Sequence, residues 1–271
     1  MSDHHICVVM AVYNRWENVY HALLRWGEQT CQDFSLVVAD DGSEDKILAV
    51  VRDRFPQAYY YRHRHANVAA VLNKGTALAP EQTTHIWYTD GDIIFNPEAM
   101  QKAYTHVKEY PERVITGRYD WLPAMPILPT HDWAQILNCA LPILPMETGW
   151  GGMEVTELKR NVDHRLRDDP CYFEHKLLDN CRSLLGANVI IPIDAWFEVG
   201  GWDEHIPGSN ANDCDFGWDL TDAGYEMLTC DCVFAVHQYH PRDGEKLRAG
   251  VREALQYIYV KHGEEIPKRW R

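Results

Sequence analysis

Two apolar runs of strand length constrain this chain most: residues 6–12, Ile-Cys-Val-Val-Met-Ala-Val, and residues 34–39, apolar but for Ser35. A strand with one face in water alternates apolar and polar residues. One that is apolar throughout must be covered on both faces, as in a parallel sheet between layers of helices. The segments between have helical spacing: 17–29, with Val19, Leu23, Leu24 and Trp26 apolar; 44–55, stopped by Pro56; and 68–79. A short third strand is read at 58–62 and a fourth ending at Asp90. The order β-α-β-α-β-α-β makes the chain α/β, with right-handed crossovers and a mostly parallel central sheet flanked by helices. Ligands of such sheets bind outside the carboxyl ends of the strands. The polar clusters after strands one, two and four all fall there.

From about Pro97 the pattern changes. Residues 98–110 read as a helix. Residues 121–129 carry three prolines, at 123, 126 and 129, which a regular helix or central strand does not accept. The span 118–185 reads as irregular, with short helices such as 171–184, and has the length of a lid or binding loop. Within it, Gly149-Trp150-Gly151-Gly152 makes an aromatic tip. Strand character returns at 186–193 and 225–236, an acidic loop follows Gly200-Gly201-Trp202-Asp203, and a helix at 246–262 closes the chain.

The formal charge of −14 argues against nucleic acid as a partner, since backbone binding rests on clustered Lys and Arg. No stretch approaches the roughly 20 apolar residues of a membrane span. The first residues, Met-Ser-Asp-His-His, lack a secretion signal. These features point to the cytoplasm, and an acceptor at the membrane surface is compatible with them. The 8 cysteines form no Cys-X-X-Cys pair and read mostly as buried free thiols.

Asp90-Gly91-Asp92 places two carboxylates, one residue apart, at a strand end. Both can lean on one divalent cation, Mg²⁺ or Mn²⁺, which commonly bridges carboxylates and a substrate's phosphates; a polar turn is the alternative. In Asp40-Asp41-Gly42-Ser43 one carboxylate can accept from a base N–H such as the uracil imide, or cap a helix. In Asn212-Asp213-Cys214-Asp215 a carboxylate can act as general base toward an acceptor hydroxyl, or start a helix. His237 and His240 close the last strand, where an imidazole ligand would favour Mn²⁺ over Mg²⁺. Arg15, Arg62, Arg64, Lys74 and Arg242 can clamp a diphosphate or lie solvated. His63 and His65 read as a solvated loop pair.

Together these pieces resemble the family 2 glycosyltransferases of GT-A fold. The residues that carry the resemblance are 8–15, 37–43, Asn73-Lys74-Gly75, Asp90-Gly91-Asp92, and the stretch 199–217, which looks like the C-terminal half of chondroitin-polymerase-like and polypeptide GalNAc-transferase-like members. The resemblance implies one GT-A domain over 1–271. Residues 1–110 form the nucleotide-sugar-binding half, 111–185 a lid or acceptor segment, 186–245 the acceptor and catalytic half, and 246–271 a C-terminal helix. It implies a UDP-sugar donor and a hydroxyl acceptor (a glycan, a lipid-linked or a small molecule). It also implies a nucleotide pocket lined by Ala11, Tyr13, Arg15, Asp40, Asp41, Lys74, Asp90 and Gly91. Asp92 and His237, with Asp90, would hold Mn²⁺ or Mg²⁺. Asp213 would be the general base of an inverting transfer, although Asn212 stands where the family has Glu. Trp150, Trp202, Asn212, Trp218 and His240 would contact the acceptor or the sugar. The alternatives are a retaining transferase and a non-catalytic sugar-nucleotide or glycan-binding protein. A hydrolase or nucleotidyltransferase is the rival enzyme class.

Overall fold

The computed structural model describes residues 4–122, 129–139, 176–177, 184, 186–207, 211–240 and 244–266. Strands β1 (Ile6–Val12), β2 (Ser35–Asp40), β3 (Tyr59–Arg62) and β4 (His85–Asp90) alternate with helices α1 (Trp16–Gly27), α2 (Ile47–Arg54) and α3 (Val68–Thr76). Every residue of β1 is buried, as its unbroken apolar run requires. β1 pairs in parallel with β2 on one side and β4 on the other, and β2 pairs in parallel with β3. Ala11 is in register with both Ala39 and Asp90, so the three polar clusters emerge together at one edge.

The second half departs from a purely parallel sheet. β8 (Asn188–Pro192) runs antiparallel to β4, and β6 (Val114–Trp121) antiparallel to β8. β9 (Met227–His237) is parallel to β6, and β5 (Ile93–Phe95) adds antiparallel to β9. The order is β3-β2-β1-β4-β8-β6-β9-β5, and β7 (Lys176–Leu177) pairs with β9 off this path.

Several expectations are corrected here. Regular structure was expected to end near 118, but β6 continues to Trp121 through a bulge between Gly117 and Tyr119. The bulge keeps Tyr119, Asp120 and Trp121 beside Ala235, Val236 and His237. The strand expected over 186–193 gives way at Ile193 to α6 (Ile193–Val199). The expected acidic loop is largely α7 (Asn212–Asp222), since its acidic residues are compatible with a first turn. Residues 176–177, read as helical, pair with β9 instead, and most of 171–184 lies outside the described residues. α4 (Ala99–Glu109), α5 (Trp133–Cys139) and α8 (Gly244–Lys261) complete the elements.

An aromatic cluster sets the β4–β5 turn. Trp87 of β4 and Phe95 of β5 meet Trp26 of α1, with all three centroid pairs 4.9 to 5.2 Å apart. Each such pair contributes about 1 kcal/mol beyond its area burial. The residues between them, Asp90 to Asp92, are therefore anchored at both ends. Cys7, Cys214 and Cys230 are buried free thiols, and burial pushes the Cys7 thiol up to about 12. No helix among the described residues is long and apolar enough to cross a membrane.

Helix α8 docks on α7 through charge. Lys261 Nζ lies 2.8 Å from Asp215 and Asp219 and 3.2 Å from Asp203, while His262 Nε2 is 2.9 Å from Asp215. Burial would lower the Lys261 ammonium, but hydrogen bonds to Asp215 and Asp219 reverse this and hold it above its ordinary range. Asp215 is 1% exposed, so removing its cation strands a buried carboxylate. Lys261→Met is expected to lower unfolding free energy by about 3 kcal/mol, read as a lower urea midpoint at unchanged slope. A loss below about 0.5 kcal/mol would show that His262 alone compensates Asp215.

Candidate functional site

The loops after β1, β2 and β4 are stitched at the carboxyl edge of the sheet. Asp41 donates its N–H to Val12 O at 2.9 Å, and Gly91 to Ala11 O at 2.8 Å. Asn14 and Arg15 take φ values of 55° and 60°, left-handed conformations that cost non-glycine residues about 1 kcal/mol or more each. The loop after β2 holds them there. Asn14 N donates to Ser43 Oγ at 2.7 Å, Glu44 N to Asn14 Oδ1 at 2.8 Å, and Trp16 N to Asp45 Oδ2 at 3.1 Å. The bend turns the Arg15 side chain onto Asp92.

Asp92 is the centre of the site. Its Oδ2 accepts from Arg15 Nη1 at 3.0 Å and lies 3.2 Å from His240 Nε2; its Oδ1 is 3.6 Å from His237 Nε2. Burial alone would raise the Asp92 carboxyl. The His237 and His240 imidazoles and the Arg15 guanidinium outweigh it and hold the group well below the usual carboxylate range. His237 Nδ1 donates to Gln238 O at 2.8 Å, which fixes the tautomer and leaves Nε2 directed at Asp92. Gln238 N in turn donates to Asp92 O at 2.8 Å, locking the β4–β5 turn to the end of β9.

The cluster fits a divalent cation. Ligand atoms of Asp92, His237 and His240 all lie within 4.8 Å of one another, all three residues are buried, and Asp92 Oδ1 takes no hydrogen bond among the described residues. A buried carboxylate oxygen without a donor is costly unless another electrophile meets it. One carboxylate and two imidazoles suit a transition metal better than Mg²⁺. His240 had been assigned to the acceptor; the fold brings it to Asp92 instead. Asp90 is half-buried, in register with Ala11, and is not one of the residues gathered in this cluster.

A second group forms beside it. Asp41 Oδ1 accepts from Ala66 N at 2.9 Å, and Asp41 Oδ2 is 2.8 Å from His65 Nδ1. The His65 ring stacks on Tyr13 with centroids 4.3 Å apart and planes 9° apart. His65 lies in an exposed loop, as expected, but its ring also packs on Tyr13 and Asp41, which nothing in its sequence spacing signals. Asp40 is different: it is 1% exposed, and its two oxygens accept from Ser43 N and the Tyr60 hydroxyl, so it holds the loop and has no face toward a ligand.

Asp213 sits in the first turn of α7, behind Ala211 at φ 66°. Its Oδ2 accepts from Gly186 N at 3.4 Å and its Oδ1 from Cys214 N at 3.0 Å. Asn188 is in register with Thr89, so Gly186 lies just past the end of β4, at the same sheet edge as Asp90. Burial raises the Asp213 carboxyl, and the N–H donors of Gly186 and Cys214 only partly oppose it. A carboxylate of raised basicity is what a general base needs. Neighbouring Asn212 is 5% exposed, and among the described residues neither its Nδ2 nor its Oδ1 makes a hydrogen bond.

Two further expectations are corrected, and three more residues are located. Trp202 is 3% exposed, stacked on Phe216 at 4.1 Å and edge-on to Tyr88, so it is core and offers no face to a sugar. Trp218 stacks on His262 at 4.4 Å and serves the α7–α8 contact. Lys74 is exposed on α3, while its neighbour Asn73 clamps the loop before α7 by donating to Trp202 O and accepting from Trp202 N, each at 2.8 Å. Gly91 is explained by packing: a Cβ there would lie 2.7 Å from Val12 Cγ1 and 3.0 Å from Val19 Cγ2. Ala11 is likewise buried, at 8% exposure. Trp150 and Arg242 lie outside the described residues.

Residues 7–138, just under half of the chain, match the family model described as Glycosyl transferase family 2. The validoxylamine A glucosyltransferase of Streptomyces hygroscopicus subsp. jinggangensis is 25% identical over 97% of this chain and 62% of its own length. Hyaluronan synthase of Pasteurella multocida is 23% identical over 86% of this chain and 25% of its own length. This chain thus spans less than two thirds of those relatives. Among solved structures, S. aureus TarS in complex with UDP superposes with a TM-score of 0.64 at 13% identity, covering 98% of this chain and 68% of TarS. A TarS structure in complex with UDP-GlcNAc gives 0.63 at 12% identity, with the same two coverages. The shared sheet with its carboxyl-edge site gives the chain the GT-A fold of those structures, and its residues 7–138 are similar to the family 2 glycosyl transferases.

Proposed function

We propose that this chain moves a sugar from a UDP-sugar to a hydroxyl acceptor, with inversion, at a site holding a divalent cation between Asp92, His237 and His240. One observation carries the reading. A buried carboxylate with an unbonded oxygen faces two imidazoles at the same sheet edge that presents Asp41 and Asp213. The UDP and UDP-GlcNAc bound by TarS support the choice of donor.

The residues divide the work. Asp41 accepts the imide N–H of the base, and the Tyr13 ring, 44% exposed, offers it a flat face. The Arg15 guanidinium sets a fixed positive charge beside the diphosphate. When bound, a cation of the Mn²⁺ type acts as a Lewis acid that neutralises charge on the departing diphosphate. Asp213 takes the proton of the acceptor hydroxyl, whose oxygen attacks the anomeric carbon opposite the leaving UDP. The result is an inverted glycosidic bond, free UDP and a protonated Asp213, which returns its proton to water. Asn212, with both polar atoms unengaged, stands beside this base and can bond a sugar hydroxyl without adding a second negative charge.

Thermal unfolding in the presence of UDP tests the reading. With Mn²⁺ and UDP at about 100 times its Kd, the gain of about 2.7 kcal/mol should raise Tm by roughly 5 °C. Without the cation the shift should shrink to near zero. A UDP shift that ignores Mn²⁺ would sink the cation site; no UDP shift under any condition would sink the donor assignment.

A further inference from the structure

The face shared by Tyr13, Asp41 and His65 carries a contact that the proposed transfer does not use. The imidazole of His65 lies flat on Tyr13, and its Nδ1 meets Asp41 Oδ2 at 2.8 Å. The carboxylate only accepts, so Nδ1 carries the hydrogen. A planar ring stacked on Tyr13 that gives an N–H to Asp41 makes the same two interactions assigned above to the nucleotide base. We infer that His65 is a built-in stand-in for the base: its ring fills the base subsite of the free protein and must swing off Tyr13 and Asp41 before a nucleotide enters. This rests on the nucleotide reading of the site.

The surroundings allow that swing and little else. Ala66 N donates to Asp41 Oδ1 at 2.9 Å, and His63 N to Asp40 O at 2.6 Å, so the backbone on both sides of His65 is tied to the end of β2. Gly42, at φ +81°, lies so close that a Cβ there would be 2.7 Å from His65 N and 3.0 Å from His63 O. The segment has no room to move inward. The His65 side chain, by contrast, is 57% exposed, and a rotation about χ1 takes it into water without breaking a backbone bond. Such rotations of exposed side chains take picoseconds to nanoseconds, so the ring competes with the nucleotide at equilibrium without slowing its entry. Ala66 N–H stays on Oδ1 throughout, which leaves Oδ2 as the single oxygen that His65 and the base exchange.

The consequence is quantitative. A ligand that binds only the open form has its apparent Kd raised by the inverse of the open fraction. Removing the ring should tighten UDP binding by the same factor, here about 10-fold, equivalent to about 1.4 kcal/mol. Titration calorimetry of UDP in saturating Mn²⁺ compares the wild type with His65→Ala. The position is more than half exposed, so the variant should keep the wild-type Tm. A decrease in Kd of 3-fold or more supports the inference, and an unchanged or increased Kd overturns it. Histidine ring resonances supply the second readout: UDP should shift those of His65 as the ring leaves the face of Tyr13. UDP that binds the wild type and leaves these resonances in place overturns the stand-in while keeping the nucleotide site. A chain that binds no UDP, with or without His65, removes both.

Discussion

Asp92→Ala should abolish cation-dependent UDP binding and lower transfer on the order of 10³-fold, about 4 kcal/mol of lost transition-state stabilisation. The reason is the concentration of roles on one side chain. Among the described residues Asp92 is the only carboxylate of the cluster with His237 and His240, and it also anchors Arg15. Removing it leaves two buried imidazoles and a guanidinium without their anion, so both the cation site and the aim of Arg15 are lost together. Mn²⁺ binding followed by electron paramagnetic resonance gives the direct measurement, and the UDP thermal shift gives the coupled one. Asp92→Asn separates the roles: it keeps volume and one acceptor oxygen, so the fold should persist while Mn²⁺ affinity falls. A variant that binds Mn²⁺ as the wild type does would place the cation elsewhere.

Asp213→Asn should leave the UDP Kd unchanged and lower kcat about 10²- to 10⁴-fold, the range set by general-base catalysis. Asparagine keeps the volume and one acceptor oxygen, enough for the shorter bond from Cys214 N–H to Oδ1, while the longer contact from Gly186 N–H to Oδ2 is lost, so the start of α7 should stay formed. The pH dependence supplies a sign. Burial raises the Asp213 carboxyl, and the base works only when deprotonated. The rate should therefore fall as pH drops through a value above that of an ordinary aspartate, and the asparagine variant should lose this acidic limb. A variant with wild-type kcat would assign the proton to another group. A variant that loses UDP affinity instead would make Asp213 part of the donor pocket.

The first four strands and their helices were legible because buried parallel strands are written as uninterrupted apolar runs, and Ile6–Val12 is one. The later half was less so. β5 is three residues long, and β6 is interrupted by a bulge, so neither carries a period that survives in the sequence. α7 was only half legible: a helix start at Asn212 and Asp213 was one of two readings, because Asp213 and Asp215, compatible with a first helical turn, read equally well as loop. The tryptophans mislead in the opposite direction. Trp202 and Trp218 stand beside polar motifs in sequence, yet one packs on Phe216 and the other on His262. Adjacency along the chain says nothing about which face of an aromatic ring is already covered.

Sequence alone determined the α/β class, the parallel order of β1 to β4, and the types of residue gathered at their carboxyl ends: Tyr-Asn-Arg after β1, acid after β2 and β4, histidine at the last strand. It could do so because burial periodicity and turn chemistry are local properties. Only the tertiary structure decided that His240 joins His237 at Asp92, that Arg15 reaches the same carboxylate, and that His65 lies over Tyr13 against Asp41. Those contacts join residues 24 to 148 positions apart in the chain. They depend on register between strands and on the left-handed bend at Asn14 and Arg15, which no local propensity encodes.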